Sequence, residues 1–420
     1  MARPRRVRRV ALVLQSVAPG GMETHAVDLA AEYARRGMSV LAVLPEDAAL
    51  DGVAGRFTAA GARVKRLNTD SRGGRLGQIA RVFRYGQTMR GFAPSIVHVH
   101  TGGATGGLAA VAVARIVTNA TVGITEHDVP AEEPSMAQRV VRSCIDRAAH
   151  AVIAVSRRNA ALRAARLPVQ NRRFGVVLNG VPLPDGLADA EQVAALRAEL
   201  GLARDDVVVG SLVRLAPGKG LETLIDAFAI LRTGSACKLL LVGDGPLRAE
   251  LEARAATAGV LDGIVFAGHQ SMPASYLDAM DVFVLPVPAG SMSIALLEAM
   301  ARGVPPVITF GGPEEAVIDG ETGLTAPPLD PSALAGALRR LVEDPAERRR
   351  LAAASARHVE RNYSVARVAD DLLELFASAR GGRLVTRLRA DAPADRRPGE
   401  HGRGGAASAK CSERAEILGS

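Results

Sequence analysis

Short runs of β-branched and leucine residues alternate with Ala- and Arg-rich amphipathic segments along most of this chain. The first of the amphipathic segments predicts a helix over residues 24–36. The apolar runs of the first half are RRVALVLQSV, SVLAVLP, SIVHVH, TVGITEH and AVIAVS. Strands that alternate with helices predict βαβ units and a parallel sheet.

The alternation restarts after a polar, Asp- and Ala-rich stretch around residues 182–205. The later apolar runs are VVVGSLVRL, CKLLLVGDG, GIVFAG, VFVLPV and VPPVITF. A chain of 420 residues exceeds one ordinary core and suggests two domains of roughly 150–200 residues each. We therefore predict two Rossmann-like α/β domains whose Gly-rich strand ends face an interdomain cleft.

The same patterns predict the boundaries of these parts. The N-terminal domain is predicted over residues 1–182 and the C-terminal domain over residues 183–360. Residues 361–380 are predicted to form a helix that packs back toward the N-terminal domain. Residues 381–420 are rich in Gly, Ala, Arg and Pro without apolar periodicity, which predicts a disordered tail.

The net charge of +8 is concentrated at the two ends of the chain. Five arginines lie in the first ten residues, and residues 381–420 hold eight cations against five acids. The body is therefore near neutral, and with no Trp and four Tyr it is not expected to bind nucleic acid. The basic ends are interpreted as solvated tails, and peripheral contact with an anionic membrane surface is the alternative.

Targeting and redox features favour a cytoplasmic protein, with the membrane's inner face as the alternative location for a peripheral form. No apolar run approaches the ~20 residues that span a bilayer. The first apolar stretch is interrupted by Gln15, so we interpret it as a buried strand rather than a secretory signal. Three scattered cysteines without a C-x-x-C motif indicate neither a disulfide framework nor a zinc site.

The chemistry-bearing motifs lie in the second half. Arg214 and Lys219 flank a Gly- and Pro-containing loop in GSLVRLAPGKGLETLIDAF, and two such cations can neutralise a diphosphate. Residues 290–293 precede a predicted helix, whose backbone N–H groups can meet phosphate or sugar oxygens. Glu298 can hold ribose hydroxyls. Together these residues predict the donor half of a nucleotide-sugar site.

Seven motifs follow one another along the chain from residue 179: NGVPL, GSLVRLAPGKGLETLI, LLLVGDGPLRAEL, VFAG, DAMDVFVLP, LLEAMARGVPPV and GGPEEAVIDGETGL. In this order and spacing they resemble the retaining GT-B-fold glycosyltransferases of family 4, and the resemblance covers about residues 8–378. PGGMETHAVDLAAEYARRG resembles the same family's first Gly-rich loop and helix. The resemblance implies a GT-B fold and transfer of a hexose from a nucleoside-diphosphate sugar to an acceptor hydroxyl.

The resemblance also implies roles for individual residues. His127, in GITEHD, matches the family's cleft histidine and is assigned a catalytic role together with Arg214 and Lys219. Glu126 and Asp128 are candidates to set the tautomer of His127. The residues implied in donor binding are Gly20, Gly21, Arg214, Lys219, Gly268, His269, Gly290, Ser291, Met292, Ser293, Ile294 and Glu298.

One departure from the family pattern concerns the reacting centre. The family usually carries a Glu eight positions before the ribose-binding Glu, where this chain has Gly290. Glu314 and Glu315 are the nearest candidate replacements by loop placement. A nucleotide-sugar-binding protein with weak or no transferase activity therefore stays an alternative, and a nucleotide-sugar epimerase on the same fold is a third.

No metal or other cofactor is expected, because no D-x-D sequence occurs that would bridge the diphosphate through a metal. The partners expected are the nucleotide-sugar donor and a hydroxyl acceptor of unknown identity, which includes a lipid-linked one. The segment RLGQIARVFRYGQTMRGF is interpreted as a solvated helix, and contact with an anionic lipid carrier is the alternative.

Overall fold

The computed structural model describes residues 8–16, 18–67, 75–102, 106–128, 133–167, 174–186, 188–270, 273–288, 290, 292–311 and 314–380. Residues 75–78 and 314 are described by their backbone alone. The predicted tail at residues 381–420, the first seven residues and Ser291 lie outside the described residues.

The first half of the chain forms a seven-stranded, wholly parallel sheet. Its strands are β1 (Arg9–Gln15), β2 (Ser39–Pro45), β3 (Arg63–Leu67), β4 (Ile96–Thr101), β5 (Thr121–Glu126), β6 (Ala151–Ala154) and β7 (Phe174–Val176). They are ordered β3-β2-β1-β4-β5-β6-β7. Its helices are α1 (Gly21–Arg35), α2 (Asp51–Ala59), α3 (Arg75–Phe92), α4 (Leu108–Val117), α5 (Met136–Ala148) and α6 (Arg157–Arg166).

The second half forms a six-stranded parallel sheet. Its strands are β8 (Val207–Leu212), β9 (Cys237–Val242), β10 (Ile264–Gly268), β11 (Val282–Leu285), β12 (Pro306–Thr309) and β13 (Leu324–Ala326), ordered β10-β9-β8-β11-β12-β13. Its helices are α7 (Ala190–Glu199), α8 (Leu221–Arg232), α9 (Arg248–Thr257), α10 (Ala274–Asp278), α11 (Ile294–Ala301), α12 (Pro331–Glu343) and α13 (Pro345–Asn362). Helix α14 (Val365–Arg380) follows.

Both sheets are covered on both faces, which is why their strands are continuous apolar runs rather than alternating ones. In the first sheet, α1, α2 and α14 share a core with one face, and α3, α4 and α5 share a core with the other. The predicted pair of Rossmann-like, parallel-sheet domains is therefore confirmed.

The chain passes between the two domains twice, near Val181 and again near residues 363–365, and these two segments lie side by side. Val181 and Val365 exchange backbone hydrogen bonds with the opposite segment: the Val181 N–H donates to Tyr363 O at 2.9 Å and the Val365 N–H to Val181 O at 2.8 Å. Helix α14 then packs on α1 and on β5 and β6. Phe376 of α14 lies over Gly123 of β5, where an added Cβ would stand 2.3 Å from its ring.

The helices begin where the sequence supplies caps. The Asp330 carboxylate accepts the Ala333 N–H at 2.9 Å ahead of Pro331 in α12, and Ser135 forms a reciprocal capping box with Gln138 in α5. Helix α1 begins at Gly21, three residues before the predicted start at residue 24. Among the described helices, none has the length and apolarity to cross a bilayer.

Candidate active site

Four buried histidines lie together at the carboxyl edge of the N-terminal sheet. His127 follows β5, His98 and His100 are on β4, and His25 is on α1. The His100 Nδ1 and His127 Nε2 atoms are 3.1 Å apart, and the ring of His25 lies 5.7 Å from that of His127. His25 Nδ1 is also 3.2 Å from Gly180 O at the crossover, so this cluster joins α1, the sheet and the crossover.

Burial keeps the four imidazoles uncharged. It lowers the pKa of His25 to about 4, and the backbone carbonyl of Gly180 only partly opposes the effect. Burial, followed by the mutual repulsion of neighbouring imidazoles, holds the pKa values of His98, His100 and His127 well below the ordinary value. A neutral His127 can donate or accept a hydrogen bond without bringing a positive charge to the site.

A buried ion-pair network lies behind His127. The Arg163 Nε donates to the Glu126 carboxylate at 2.9 Å, and its Nη2 to Asp146 at 2.6 Å. Arg142 also pairs with Glu126. Asn159, on the same helix as Arg163, donates its Nδ2 to His127 O at 3.3 Å. Glu126, one of the two candidates to set the tautomer of His127, is thus bound by guanidinium groups, and the ring nitrogen that lies 3.1 Å from His127 Nε2 is His100 Nδ1.

The loop between β8 and α8 carries both predicted cations. Arg214 is exposed and Lys219 is half-buried. Gly220 ends this loop with φ +70, and an added Cβ would stand 2.0 Å from Pro286 O, so only glycine allows the loop to approach β11 this closely. Desolvation raises the pKa of Asp128, and the nearby Lys219 ammonium opposes it. The ammonium of Lys219, on this loop of the second domain, therefore acts electrostatically on the residue that follows His127 in the first domain.

The loop between β11 and α11 is held by contacts at both of its ends. The Gly290 N–H donates to Gly311 O at 3.2 Å, and Met292 O accepts the Asn179 Nδ2 at 3.3 Å. The Ser293 hydroxyl caps α11 by accepting the Leu296 N–H at 3.3 Å. Ser291 lies outside the described residues. The capped first turn of α11 is thereby fixed at the carboxyl edge of the second sheet.

The first turns of α1 and α11 meet across the two sheets. Gly20 and Gly21 are exposed at the start of α1, and a Cβ on Gly21 would stand 3.5 Å from Ile294 Cγ1. The starts of α1 and α11 are therefore in contact range, and a Cβ at position 21 would make an ordinary van der Waals contact with Ile294.

Glu298 lies on α11 where α1 covers it. Burial, and then the negative charge of Asp28 on α1, raise the pKa of Glu298 to about 7, although Arg56 and Arg302 oppose this. Burial likewise raises the pKa of Asp28 to about 6. The half-buried Glu298 is therefore a carboxyl group that titrates near neutral pH, beside a second such group from the other sheet.

The remaining predicted donor residues, Gly268 and His269, lie at the carboxyl end of β10. Gly268 has φ +68, and its carbonyl accepts the Gly243 N–H at 2.8 Å. His269 follows as an exposed side chain. Among the residues that the structure describes, no three His, Cys, Asp or Glu side chains are grouped in a way that could hold a metal ion.

The surroundings of Gly290, where the family usually has a Glu, leave limited space for a side chain. A Cβ at this position would stand 3.3 Å from Val287 Cγ1, a tight but not prohibitive contact. Of the two proposed replacement carboxylates, Glu315 accepts the Arg158 N–H at 2.8 Å, at the start of α6. Its carboxylate therefore links the two sheets, and the side chain of Glu314 lies outside the described residues.

Sequence reasoning missed His25, His98, His100, Asp28 and Arg56. The parallel register pairs Thr101 of β4 with Glu126 of β5, which sets His100 beside the end of β5. The run SIVHVH was a usable signal, because both of its histidines lie near the carboxyl end of a predicted strand. No comparable signal marked Asp28 and Arg56, whose relation to Glu298 depends on the packing of α1 against α11.

Two Rossmann-like domains whose carboxyl edges meet define a two-domain α/β fold of the GT-B class. Residues 19–184 match the family described as Glycosyltransferase Family 4, and residues 192–358 match Glycosyl transferases group 1. Together the two matches cover more than three quarters of the chain. The chain belongs to the GT-B glycosyltransferases of family 4, as its motifs predicted.

Curated relatives and solved structures agree with this assignment. The chain is 32% identical over 219 residues to the alpha-D-kanosaminyltransferase of Streptomyces kanamyceticus, covering 51% of this chain and 56% of that protein. It is 29% identical over 370 residues to the 2-deoxystreptamine N-acetyl-D-glucosaminyltransferase of Streptomyces fradiae, covering 81% and 86%. In its first matches, the chain spans about half the length of the curated relatives.

A solved structure of similar fold is that of Alr3699/HepE from Anabaena in complex with UDP and glucose. It has a TM-score of 0.73 and 25% sequence identity, and the match covers 88% of this chain and 99% of that one.

Proposed function

We propose that this protein is a retaining, metal-independent glycosyltransferase that moves a hexose from a nucleoside-diphosphate sugar to an acceptor hydroxyl. Its role is in the biosynthesis of a glycan, glycolipid or other glycoconjugate. One observation carries the proposal: the carboxyl edges of the two sheets are in direct contact, through the bond from Asn179 Nδ2 to Met292 O at 3.3 Å and the bond from the Arg158 N–H to Glu315 at 2.8 Å. Membership of family 4 supports the transferase activity.

The second sheet, within residues 183–360, is assigned the donor. Arg214 and Lys219 bind the diphosphate, and the first turn of α11 adds backbone N–H groups at its positive end. Glu298, as a carboxylate, accepts hydrogen bonds from the ribose hydroxyls. Gly268 and His269 flank the base, and Gly20 and Gly21 let the backbone of the first domain approach the same phosphates.

The first sheet, within residues 1–182, is assigned the acceptor. The acceptor hydroxyl approaches the anomeric carbon from the leaving group's face. A bond forms between the anomeric carbon and the acceptor oxygen as the bond to the β-phosphate oxygen breaks. The acceptor proton passes to that phosphate, and the cations stabilise the charge that develops on the leaving group. His127 lies at this edge as a neutral hydrogen-bonding group.

The nucleotide proposed is uridine diphosphate. The support is the fold's similarity to Alr3699/HepE, whose structure holds UDP and glucose. The two Streptomyces relatives are named for transfer of amino or N-acetylamino sugars, so the sugar of the donor is left at the level of a hexose. No D-x-D sequence supports a bridging metal, which is the basis for a metal-independent mechanism.

A time course of nucleotide release tests the proposal. Purified protein is incubated with a UDP-hexose and a panel of hydroxyl acceptors, and UDP and glycosylated product are quantified together. Transfer releases UDP in step with product. Binding without chemistry releases none, and epimerisation converts the donor to an isomer with its diphosphate intact; either result contradicts the proposal.

The alternative is a nucleotide-sugar-binding protein with weak or no transferase activity, and Gly290 is the observation that favours it. A carboxylate missing near a developing oxocarbenium ion costs several kcal/mol when no other group replaces it. A Gly290→Glu variant separates the two. A rise in turnover of about tenfold or more from a near-zero level supports the alternative. Unchanged or abolished turnover excludes a simple missing-carboxylate defect.

A further inference from the structure

The helices α3, α4 and α5 form one outer layer of the first domain, with α4 between the other two. Exposed large apolar side chains are concentrated on this layer. Of the ten that are found in the described residues, six lie on this layer and four are scattered between residues 183 and 329. The six are Ile79, Val82, Phe83, Ile116, Met136 and Val140.

Helix α3 is apolar on two sides. Tyr85 and Met89 are buried against the sheet and α4, whereas Ile79 and Phe83 are 65% and 64% exposed. Ile79 and Phe83 are four residues apart and therefore lie on one helical face. A helix that only shields a sheet has its apolar residues on the inner side, so the outer apolar face requires another explanation.

The same layer is basic. Neither α3 nor α4 contains an acidic residue, and the one acid of α5, Asp146, is buried and bound to Arg163. Arg84 and Arg90 of α3 are exposed, and Arg90 lies on the same helical stripe as Phe83. On α3 the exposed apolar side chains stand among arginines, and at the start of α5 the exposed Glu133 is paired with Arg139. Apolar side chains among arginines are complementary to an anionic surface with an apolar interior.

The topology places most of this surface beside the candidate active site. A helix that follows a parallel strand begins at the carboxyl edge of the sheet and runs back from it. Ile79, Val82 and Phe83 lie in the first half of α3, and Met136 and Val140 in the first half of α5. These five residues, with Arg84 and Arg90, are called the apolar–basic face.

We propose that the apolar–basic face binds a membrane surface that carries anionic headgroups, and so brings a membrane-attached acceptor to the cleft. Aliphatic and phenyl side chains enter the boundary between headgroups and acyl chains, while guanidinium groups meet phosphates. This inference rests on the proposed function for the identity of the acceptor, but the binding itself does not. It places the contact on α3 and α5, rather than on the basic ends of the chain.

Vesicle flotation tests the proposal with the full chain. Vesicles of phosphatidylcholine alone are compared with vesicles in which roughly a third of the lipid is phosphatidylglycerol. The test variants are Ile79→Ser with Phe83→Ser, and Arg84→Glu with Arg90→Glu. The matched controls are Leu261→Ser and Arg349→Glu, which change an exposed apolar and an exposed basic residue in the second domain.

The wild-type protein and both controls are expected to float with the anionic vesicles, and less so at high salt. Each double variant is expected to bind at least about tenfold more weakly. The proposal is overturned when the wild type does not float, or when the double variants bind like the controls. The shift in melting temperature caused by UDP is measured on the wild type and on every variant. If UDP does not stabilise the wild-type protein, the proposed function is contradicted, independently of the flotation result.

Discussion

Glu298, which we propose binds the ribose hydroxyls, has a strongly shifted pKa. Burial and the neighbouring Asp28 raise its pKa to about 7, so the unliganded protein holds it partly protonated at neutral pH. Ribose hydroxyls donate hydrogen bonds best to the ionised form. In the proposed site, nucleotide binding would therefore be linked to loss of a proton from this group.

We predict that nucleotide affinity rises by up to about tenfold between pH 6 and pH 8, because the carboxylate population of Glu298 increases over that range. The Glu298→Gln variant should lose this component, and calorimetric titration with UDP at both pH values checks it. Titration of UDP itself affects both proteins equally, and Glu250→Gln, at an exposed glutamate of α9, serves as the control. Identical pH dependence in wild type and Glu298→Gln would contradict the assignment.

The raised pKa of Glu298 also makes the stability of the folded protein depend on pH. Its pKa is higher in the folded protein, at about 7, than the ordinary value of 4.5, so the folded state binds more protons between these values. The stabilising contribution is complete below pH ~4.5 and is lost as the pH rises toward 7. Glu298→Gln should therefore lose less stability than the wild type over that interval, as urea unfolding at several pH values would show.

Lys219 is predicted to act on the donor diphosphate. Lys219→Ala should weaken UDP binding by about 10- to 100-fold, because it removes a charge-assisted contact in a partly desolvated place. Lys65→Ala, on the exposed edge strand β3, is the matched control. Binding and turnover that match the control would remove Lys219 from the site.

Helix α6 is held in place by a buried network of ion pairs. Arg163 and Arg142 are each 1% exposed and share the carboxylates of Glu126 and Asp146. Arg163 also lies over the Phe174 ring of β7, at 4.9 Å. This network fixes α5 and α6 against the end of β5, from which His127 follows.

We predict that Arg163→Met destabilises the protein by about 3–5 kcal/mol, because two buried carboxylates lose a partner. The control is Arg254→Met, which removes a surface ion pair with Asp226 and should cost about 1 kcal/mol or less. Urea unfolding of the three proteins measures the difference. Equal losses for the two variants would show that the buried network contributes no more than a surface pair.

The elements also show how far the sequence alone leads. The strong apolar runs predicted ten strands, but β3, β7 and β13 were missed. Strand β3 has the sequence RVKRL, which is rich in cations because β3 is an edge strand, so it does not form an apolar run. Strands β7 and β13 have only three residues each, which is too short for a recognisable run. The cations and Glu298 were predicted from their motifs. The histidine cluster, Asp28 and the Arg163 network depend on contacts between distant segments, which no local pattern encodes.

For the whole molecule, the contacts between the two sheets carry the functional account. Gly21 lies against Ile294, Asn179 binds Met292 O, and Glu315 accepts the N–H of Arg158. These contacts join loops at the carboxyl edges, where ligands of parallel α/β sheets bind. A ligand held by both edges would favour this arrangement over an open one by its differential affinity.

The most direct test of the proposed donor site is to measure the melting temperature of the protein with UDP, GDP and ADP and with the common nucleotide sugars of each. A ligand present at 100 times its dissociation constant stabilises the fold by about 2.7 kcal/mol. We predict that UDP and one UDP-hexose raise the melting temperature selectively, with the sugar nucleotide above bare UDP, and that Lys219→Ala reduces the shift. If none of the nucleotides stabilises the wild-type protein, the proposed donor site is wrong.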